Sequence, residues 1–287
     1  MENNIELSAH IRKIEIYIKR LLSGTLVGDK RSALKGSGYD FDQIREYRQG
    51  DDVRFIAWNA LAKTGTLLLK EYTEERNRSI VVCLDISASR IYASSTHAKS
   101  MIMNDIATVI ALVAGYGNDK IGLVFFSDTV ECVIPAGKGR HHMQKVIREI
   151  IGHTSKAGAI NIQALLSYLV QNKNKNSLFV IISDFIDEGY EKLAGAIARR
   201  CEIVAIRCLD RYESSLPQVG LGVVEDIETG ERMILNMSAH DLNTFLHDRE
   251  VKQKQLLQSA GIDMLTVDTS PNFIPKLIVF FKKRMNY

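Results

Sequence analysis

Between residues 79 and 268, short and almost unbroken apolar runs alternate with helical patterns, and this alternation restricts the fold more than any other feature of the chain. The runs are SIVVCLDIS (79–87), KIGLVFFS (120–127), SLFVIISDF (177–185), EIVAIRCL (202–209) and IDMLTVD (262–268). Continuous apolar character is what strands buried on both faces of a parallel sheet require. Between them lie HAKSMIMNDIATVIALVAGYG, RHHMQKVIREIIG, NIQALLSYLVQN, GYEKLAGAIARR and LNTFLHDREVKQKQLLQSAG, each with apolar residues at helical spacing. The expected fold class is therefore α/β, a doubly wound and mainly parallel sheet with right-handed crossovers.

Two pieces break the alternation. SDTVECVIPA follows its strand too closely for a crossover and reads as an antiparallel edge hairpin. LGVVEDIETGERMILN reads as a second hairpin turning at Thr229-Gly230, an insertion at about 221–237. Ahead of the α/β domain, residues 1–78 read as an accessory segment. An amphipathic helix is expected over 7–23, with Ile11, Ile14, Ile18, Leu21 and Leu22 on one face, and a short strand over LLLKEY (67–72). The α/β domain itself is assigned to 79–287.

Composition excludes several classes. With 37 basic and 34 acidic residues the net charge is +3, far from the concentrated positive field of a nucleic-acid binder. Cys83, Cys132, Cys201 and Cys208 sit in apolar, strand-like runs without C-x-x-C spacing, which predicts reduced core residues. The N-terminal MENNIELSAHIRKIEIYIKR has no apolar signal core, and no segment supplies the ~18 to 20 uncharged apolar residues of a membrane span. A cytoplasmic location without an integral membrane segment is the expectation. The terminal FIPKLIVFFKKRMNY reads as a helix covering the last sheet edge, with docking on an anionic membrane as the rival reading.

In open α/β sheets ligands gather beyond the carboxyl ends of the strands, where strand order reverses. Asp85, Ser87 and Ser89 lie on the exit of the first strand, and Asp184 leaves another strand after Ser183. Carboxylate and hydroxyl oxygens converging there form the hard donor set that Mg²⁺ or Mn²⁺ prefers. Taken singly, each serine or aspartate is equally a helix cap or turn residue.

The loop DISAS followed by IISDF resembles the metal-ion-dependent adhesion site of von Willebrand factor A domains. With YRQGDDVRFIAW, LKEYTEER, VEDIETGE and AGIDMLTVDTS it is identified as similar to the domain-of-unknown-function 58 group, A-domain proteins often encoded beside MoxR-type AAA+ ATPases. The resemblance implies that Asp85, Ser87 and Ser89 hold a divalent cation, with Asp184 acting through water and an acidic partner side chain completing the shell. It implies a non-enzymatic interaction module with no catalytic residue, an adaptor or substrate-presenting partner of such an ATPase. The family's Gly-Thr-Asp before the third crossover helix is KAGAINIQALL here. Ile160 replaces the ligand threonine, leaving Thr154 or Ser155 as the nearest hydroxyls.

Asp51, Asp52, Arg54 and Trp58 belong to the family's signature segment, in which Ala57 replaces the usual aspartate and Ala62-Lys63 stands for Ala-Arg. They read either as partner-binding residues or as a plain turn with a paired arginine and Trp58 as a core plug. His141 and His142, adjacent on a helix, point about 100° apart and read as surface residues. The rival enzyme reading is a Mg-dependent phosphohydrolase of the haloacid-dehalogenase type. That chemistry needs a second acid two residues after the strand-end aspartate, and Ser87 stands there.

Overall fold

The computed structural model describes residues 39–285 except 49–50, 75–78, 92–97, 154–157, 173–176, 188, 211–212, 214–219, 226–231, 237–239 and 270–272. The helix expected over 7–23 and the Thr229-Gly230 turn lie outside the described residues. The chain divides into two compact units, with the break between Asn77 and Arg78.

In the smaller unit, β1 (Tyr39–Glu46) pairs antiparallel with β2 (Leu68–Glu74), and helix α1 (Trp58–Thr64) lies between them in sequence. The polar YDFDQIRE of β1 carried no strand signal, because its order comes from the ladder with β2 rather than from an apolar run. Trp58 opens α1 with 61% of its surface exposed, so the core-plug reading is corrected. Ile56 and Ala57, just before it, take the buried positions.

The larger unit is built on a six-stranded sheet in the order β10-β7-β6-β3-β4-β5. Its strands are β3 (Ser79–Asp85), β4 (Lys120–Phe126), β5 (Val130–Gly137), β6 (Ser177–Ser183), β7 (Glu202–Leu209) and β10 (Asp263–Asp268). All neighbours run parallel except β4 and β5. The helices are α2 (Lys99–Tyr116), α3 (Arg140–Gly152), α4 (Ile162–Gln171), α5 (Glu191–Ala198), α6 (His240–Ser259) and α7 (Ile274–Met285). Helices α2 and α3 pack on each other, whereas α4 packs on α5 and α5 on α6. Cys83, Val124, Phe126, Phe179, Ile181, Ile203 and Ala205 join α4 and α5 in one buried cluster. Residues alternating with them point to the opposite face. Val82, Leu84, Leu123, Phe125, Val180, Ile182, Val204 and Ile206 are buried there as well. Burial on both faces explains the unbroken apolar runs.

The edge hairpin forms as its sequence implies, with Pro135 on edge strand β5, where a missing N–H costs no ladder bond. β8 (Leu221–Glu225) and β9 (Arg232–Asn236) form the second hairpin, a separate two-stranded sheet. Of the four cysteines, all with free thiols, Cys83, Cys201 and Cys208 are buried. Cys132 is exposed, which corrects the core reading: it lies on β5, whose outward face meets solvent. His142 is half-buried rather than superficial, with Nε2 bonded to the Ile121 carbonyl at 2.8 Å. Helix α7 lies against β10, and Arg284 pairs with Asp263 at 2.6 Å and Glu202 at 2.7 Å.

The β4–β5 ladder shifts register between Ile121 and Leu123. A Cβ on Gly122 would stand 3.1 Å from Ala136 N and 3.2 Å from Ala136 Cα and the Ile134 carbonyl oxygen. Backbone atoms cannot rotate away as a side-chain tip would. Gly122→Ala is expected to destabilise the domain by about 1–3 kcal/mol, read from the urea midpoint. An unchanged midpoint would show that the edge strand yields freely.

Candidate functional site at the strand ends

Topology brings the site together before any side chain acts. From β3 the chain moves to β4 and β5 on one side, then crosses to β6 on the other, so strand order reverses at the β3–β6 pair. Register sets Leu84 opposite Ile182. Asp85 therefore emerges beside Ser183, and Asp184 follows at the same edge.

Asp85, Ser87, Ser89, Ser183 and Asp184 are all buried. Asp85 Oδ1 accepts the Ser87 backbone N–H at 2.8 Å, closing a turn after the strand. Its Oδ2 accepts the Ser183 hydroxyl at 2.9 Å. Ser87 and Ser89 hydroxyls share a hydrogen bond at 3.1 Å, and Ser89 donates to Asp184 Oδ2 at 2.7 Å. The four residues expected to hold a cation are thus brought together, and they bond to one another and to Ser183. The backbone turns sharply after Asp184: Phe185 has a φ of +56°, and its N–H donates to Ser183 Oγ at 3.0 Å.

Two further charged side chains complete the cluster. Lys99, the first residue of α2, has no exposed surface, and its ammonium donates to Asp184 Oδ2 at 2.9 Å and to Glu213 Oε1 at 2.7 Å. Glu213 is itself fixed, because its Oε2 accepts the Asp210 N–H at 2.7 Å. A lysine at a helix N-terminus faces the positive end of the helix dipole, and burial adds a desolvation cost, so only close carboxylates make the position tenable. Removing one member of such a pair typically costs about 3–5 kcal/mol. Burial pulls the Lys99 ammonium's pKa down, but the neighbouring Asp184 and Glu213 carboxylates more than offset it and the net shift is upward.

Arg90 reaches the Asp85 carbonyl at 3.4 Å and also bonds Asn104, while Arg207 Nε donates to the Asp184 carbonyl at 3.3 Å. Arg90 Nε and Arg207 Nη1 are buried and have no hydrogen-bond partner among the described residues. The two arginines thus hold main-chain carbonyls at the strand ends, and Lys99 pairs directly with the carboxylates of Asp184 and Glu213.

Does this arrangement fit a divalent ion? The donor chemistry suits a hard cation. The placement does not: both Asp85 oxygens are engaged, Asp184 Oδ2 already takes a hydroxyl and an ammonium, and two guanidinium N–H groups are unsatisfied. Ile160 points into the buried apolar cluster with Phe126 and Leu165. Its neighbour Asn161 is occupied as the α4 cap, accepting the Ala164 N–H at 2.9 Å. The loop nevertheless adjoins the site, since the Gly158 carbonyl accepts the Ala88 N–H at 3.1 Å. Thr154 and Ser155 lie outside the described residues. As they stand, the described residues do not fit a resident Mg²⁺ or Mn²⁺.

Sequence reasoning missed Lys99 and Glu213. A signal existed for the first: one cation opening an 18-residue helix with a largely apolar sequence, against the dipole preference. Glu213 sits in a polar stretch with no such signal.

The remaining nominated residues belong to the smaller unit. Arg45 clamps Asp51 bidentately at 2.6 and 2.9 Å, and the Arg48 N–H adds a bond at 2.8 Å. These bonds, Arg45 first, lower the Asp51 pKa to about 2. Asp52 caps a 3₁₀ turn through the Arg54 N–H at 3.0 Å and pairs with the Arg54 guanidinium at 2.6 Å, which likewise lowers it to about 2. Both aspartates are thereby local turn fasteners, while Trp58 presents its indole outward.

The sheet order, the antiparallel edge strand and the Asp-x-Ser-x-Ser turn after β3 define an α/β domain of von Willebrand factor A type. The chain belongs to the family described as protein of unknown function DUF58, whose model matches residues 43–255. It is similar to the uncharacterized protein Rv1480 of Mycobacterium tuberculosis, 25% identical over 285 residues, 97% of this chain and 90% of that one. It is also similar to the uncharacterized protein MAV169 of Mycobacterium avium, 29% identical over 161 residues, 53% of this chain and 93% of that one. Among solved structures, the conserved hypothetical protein BatB of Bacteroides thetaiotaomicron superposes with a TM-score of 0.52 at 12% identity, over 73% of this chain and 100% of that one. That likeness concerns the fold alone. Among the described residues no helix is long and apolar enough to cross a membrane.

Burial, then the nearby Asp184 charge, raises the Asp85 pKa from 3.8 to about 6. A carboxyl with a raised folded pKa binds more protons folded than unfolded between these values. Its contribution therefore favours folding below pH ~4 and is lost as pH rises to about 6. Against Asp85→Asn, the wild type is expected to lose up to about 3 kcal/mol of relative stability across that window, measured by urea unfolding at each pH. Parallel pH profiles would refute the assignment.

Proposed function

We propose that the chain is a non-enzymatic protein-interaction module of the cytoplasm, an adaptor or substrate-presenting partner of a MoxR-type AAA+ ATPase. The observation that carries the non-enzymatic part is the engagement of Asp85. Both of its oxygens accept hydrogen bonds from the chain itself, and Ser87 stands where a phosphohydrolase would need its acid. The carboxylate is thereby oriented by the chain's own donors, and the position two residues on supplies a hydroxyl rather than a carboxylic acid to protonate a leaving group. The ATPase partner rests on the family resemblance.

The β8–β9 hairpin supports an interaction role independently. Leu221 and Val223 lie on one face of β8, and Ile234 is the cross-strand partner of Val223. Leu221 is 77% exposed, Ile234 73% and Val223 65%. Contiguous exposed apolar side chains on a polar protein mark contact surfaces more often than isolated ones do.

The test combines the purified chain with the MoxR-type ATPase of the same genome on size-exclusion chromatography with light scattering. Co-elution is expected, and Val223→Asp with Ile234→Asp should weaken it at least tenfold, about 1.4 kcal/mol, without shifting the melting temperature. Sustained hydrolysis of p-nitrophenyl phosphate with Mg²⁺, abolished by Asp85→Asn, would replace this reading with the phosphohydrolase.

A further inference from the structure

The ammonium of Lys99 ties together the strand ends around which the site is built. On Asp184 Oδ2 it meets the hydroxyl of Ser89, so one oxygen joins the β3 exit, the β6 exit and the N-terminus of α2. Through Glu213 it extends to the exit of β7, because Glu213 also holds the Asp210 N–H. A single positive centre thus links four segments, which is the structural service a bound divalent ion gives when loops converge on it. The surroundings match that role. The ammonium is fully buried, its carboxylates lie within 3 Å, and the position that would otherwise add a hydroxyl ligand, Ile160, has turned into the apolar core.

We infer that Lys99 is the resident cation of this site: its tethered ammonium takes the place of a divalent metal ion, so the strand-end cluster is held in its folded arrangement without Mg²⁺ or Mn²⁺. A metal ion gains Asp184 only by displacing Lys99, since two cations sharing one carboxylate oxygen in a water-poor site repel each other. Burial of the lysine follows from the same pairing, since an unpaired ammonium there would be expelled to solvent. The inference goes beyond the interaction reading, which rests on the β8–β9 surface, and its test uses the isolated chain, so either can fail while the other stands.

The experiment titrates Mn²⁺ into wild type, Lys99→Met, Glu213→Gln and the double variant Lys99→Met with Ile160→Thr, following free Mn²⁺ by electron paramagnetic resonance and stability by thermal melting. Wild type is expected to show no saturable site up to about 1 mM Mn²⁺ and the same melting temperature with Mn²⁺ or with a chelator. Lys99→Met should melt lower in chelator, recover several degrees with Mn²⁺, and bind the ion at least tenfold more tightly than wild type; the added threonine should tighten binding again. Glu213→Gln, which keeps the lysine but removes one of its two carboxylates, should gain weaker Mn²⁺ binding and decides the matter if Lys99→Met does not fold. Saturable wild-type binding that Asp85→Asn removes would overturn the inference. So would a folded Lys99→Met or Glu213→Gln that binds no more Mn²⁺ than wild type.

Discussion

The parallel pairing of β3 with β6 is the constraint on which the site depends. It fixes Asp85 beside Ser183, sets Asp184 at the same edge, and does so through backbone hydrogen bonds that are indifferent to the side chains beyond the strand ends. That pairing is secured by the apolar interior. Val82, Cys83, Leu84, Val180 and Ile182 have essentially no exposed surface, and each such side chain contributes about 1.5–3 kcal/mol relative to exposure. Two adjacent strands of this kind can carry the cost of ending in buried carboxylates.

What those carboxylates do next follows from electrostatics in a water-poor setting. A buried charge must be paired or hydrogen-bonded, and here the partners come from three separate segments: Ser183 from β6, Ser89 from the β3 exit and Lys99 from α2. Asp85, with hydroxyl and amide donors but no direct ammonium, keeps a raised pKa; Asp184 receives the lysine. The two aspartates that look equivalent in sequence therefore occupy different electrostatic positions.

The smaller unit solves its problem locally. Asp51 and Asp52 are spent on tightening the turn before α1, each matched to an arginine a few residues away, and the sole tryptophan is left outside. The indole of Trp58 and the apolar face of the β8–β9 hairpin are exposed in their respective units.

The sequence by itself determined the α/β class, the five parallel strands to within a residue or two, the antiparallel edge, the second hairpin's strands and the pair of aspartates at the strand ends. All of these follow from local patterns: apolar runs, period-3.6 faces and polar residues closing a strand. Strand β1 was not legible, because its order comes from partner residues 22 to 35 positions away rather than from its own composition. Nor was the outward position of Trp58, since one aromatic residue carries no periodicity. Above all, Lys99 and Glu213 are 85 and 29 positions from Asp184: the crossover that delivers the start of α2 to the end of β6 makes Lys99 its neighbour, and Glu213 joins from beyond β7 through Lys99. The sequence determined which oxygens would meet; tertiary structure decided which cation meets them, because charge pairing in a buried site is settled by distance in space and not along the chain.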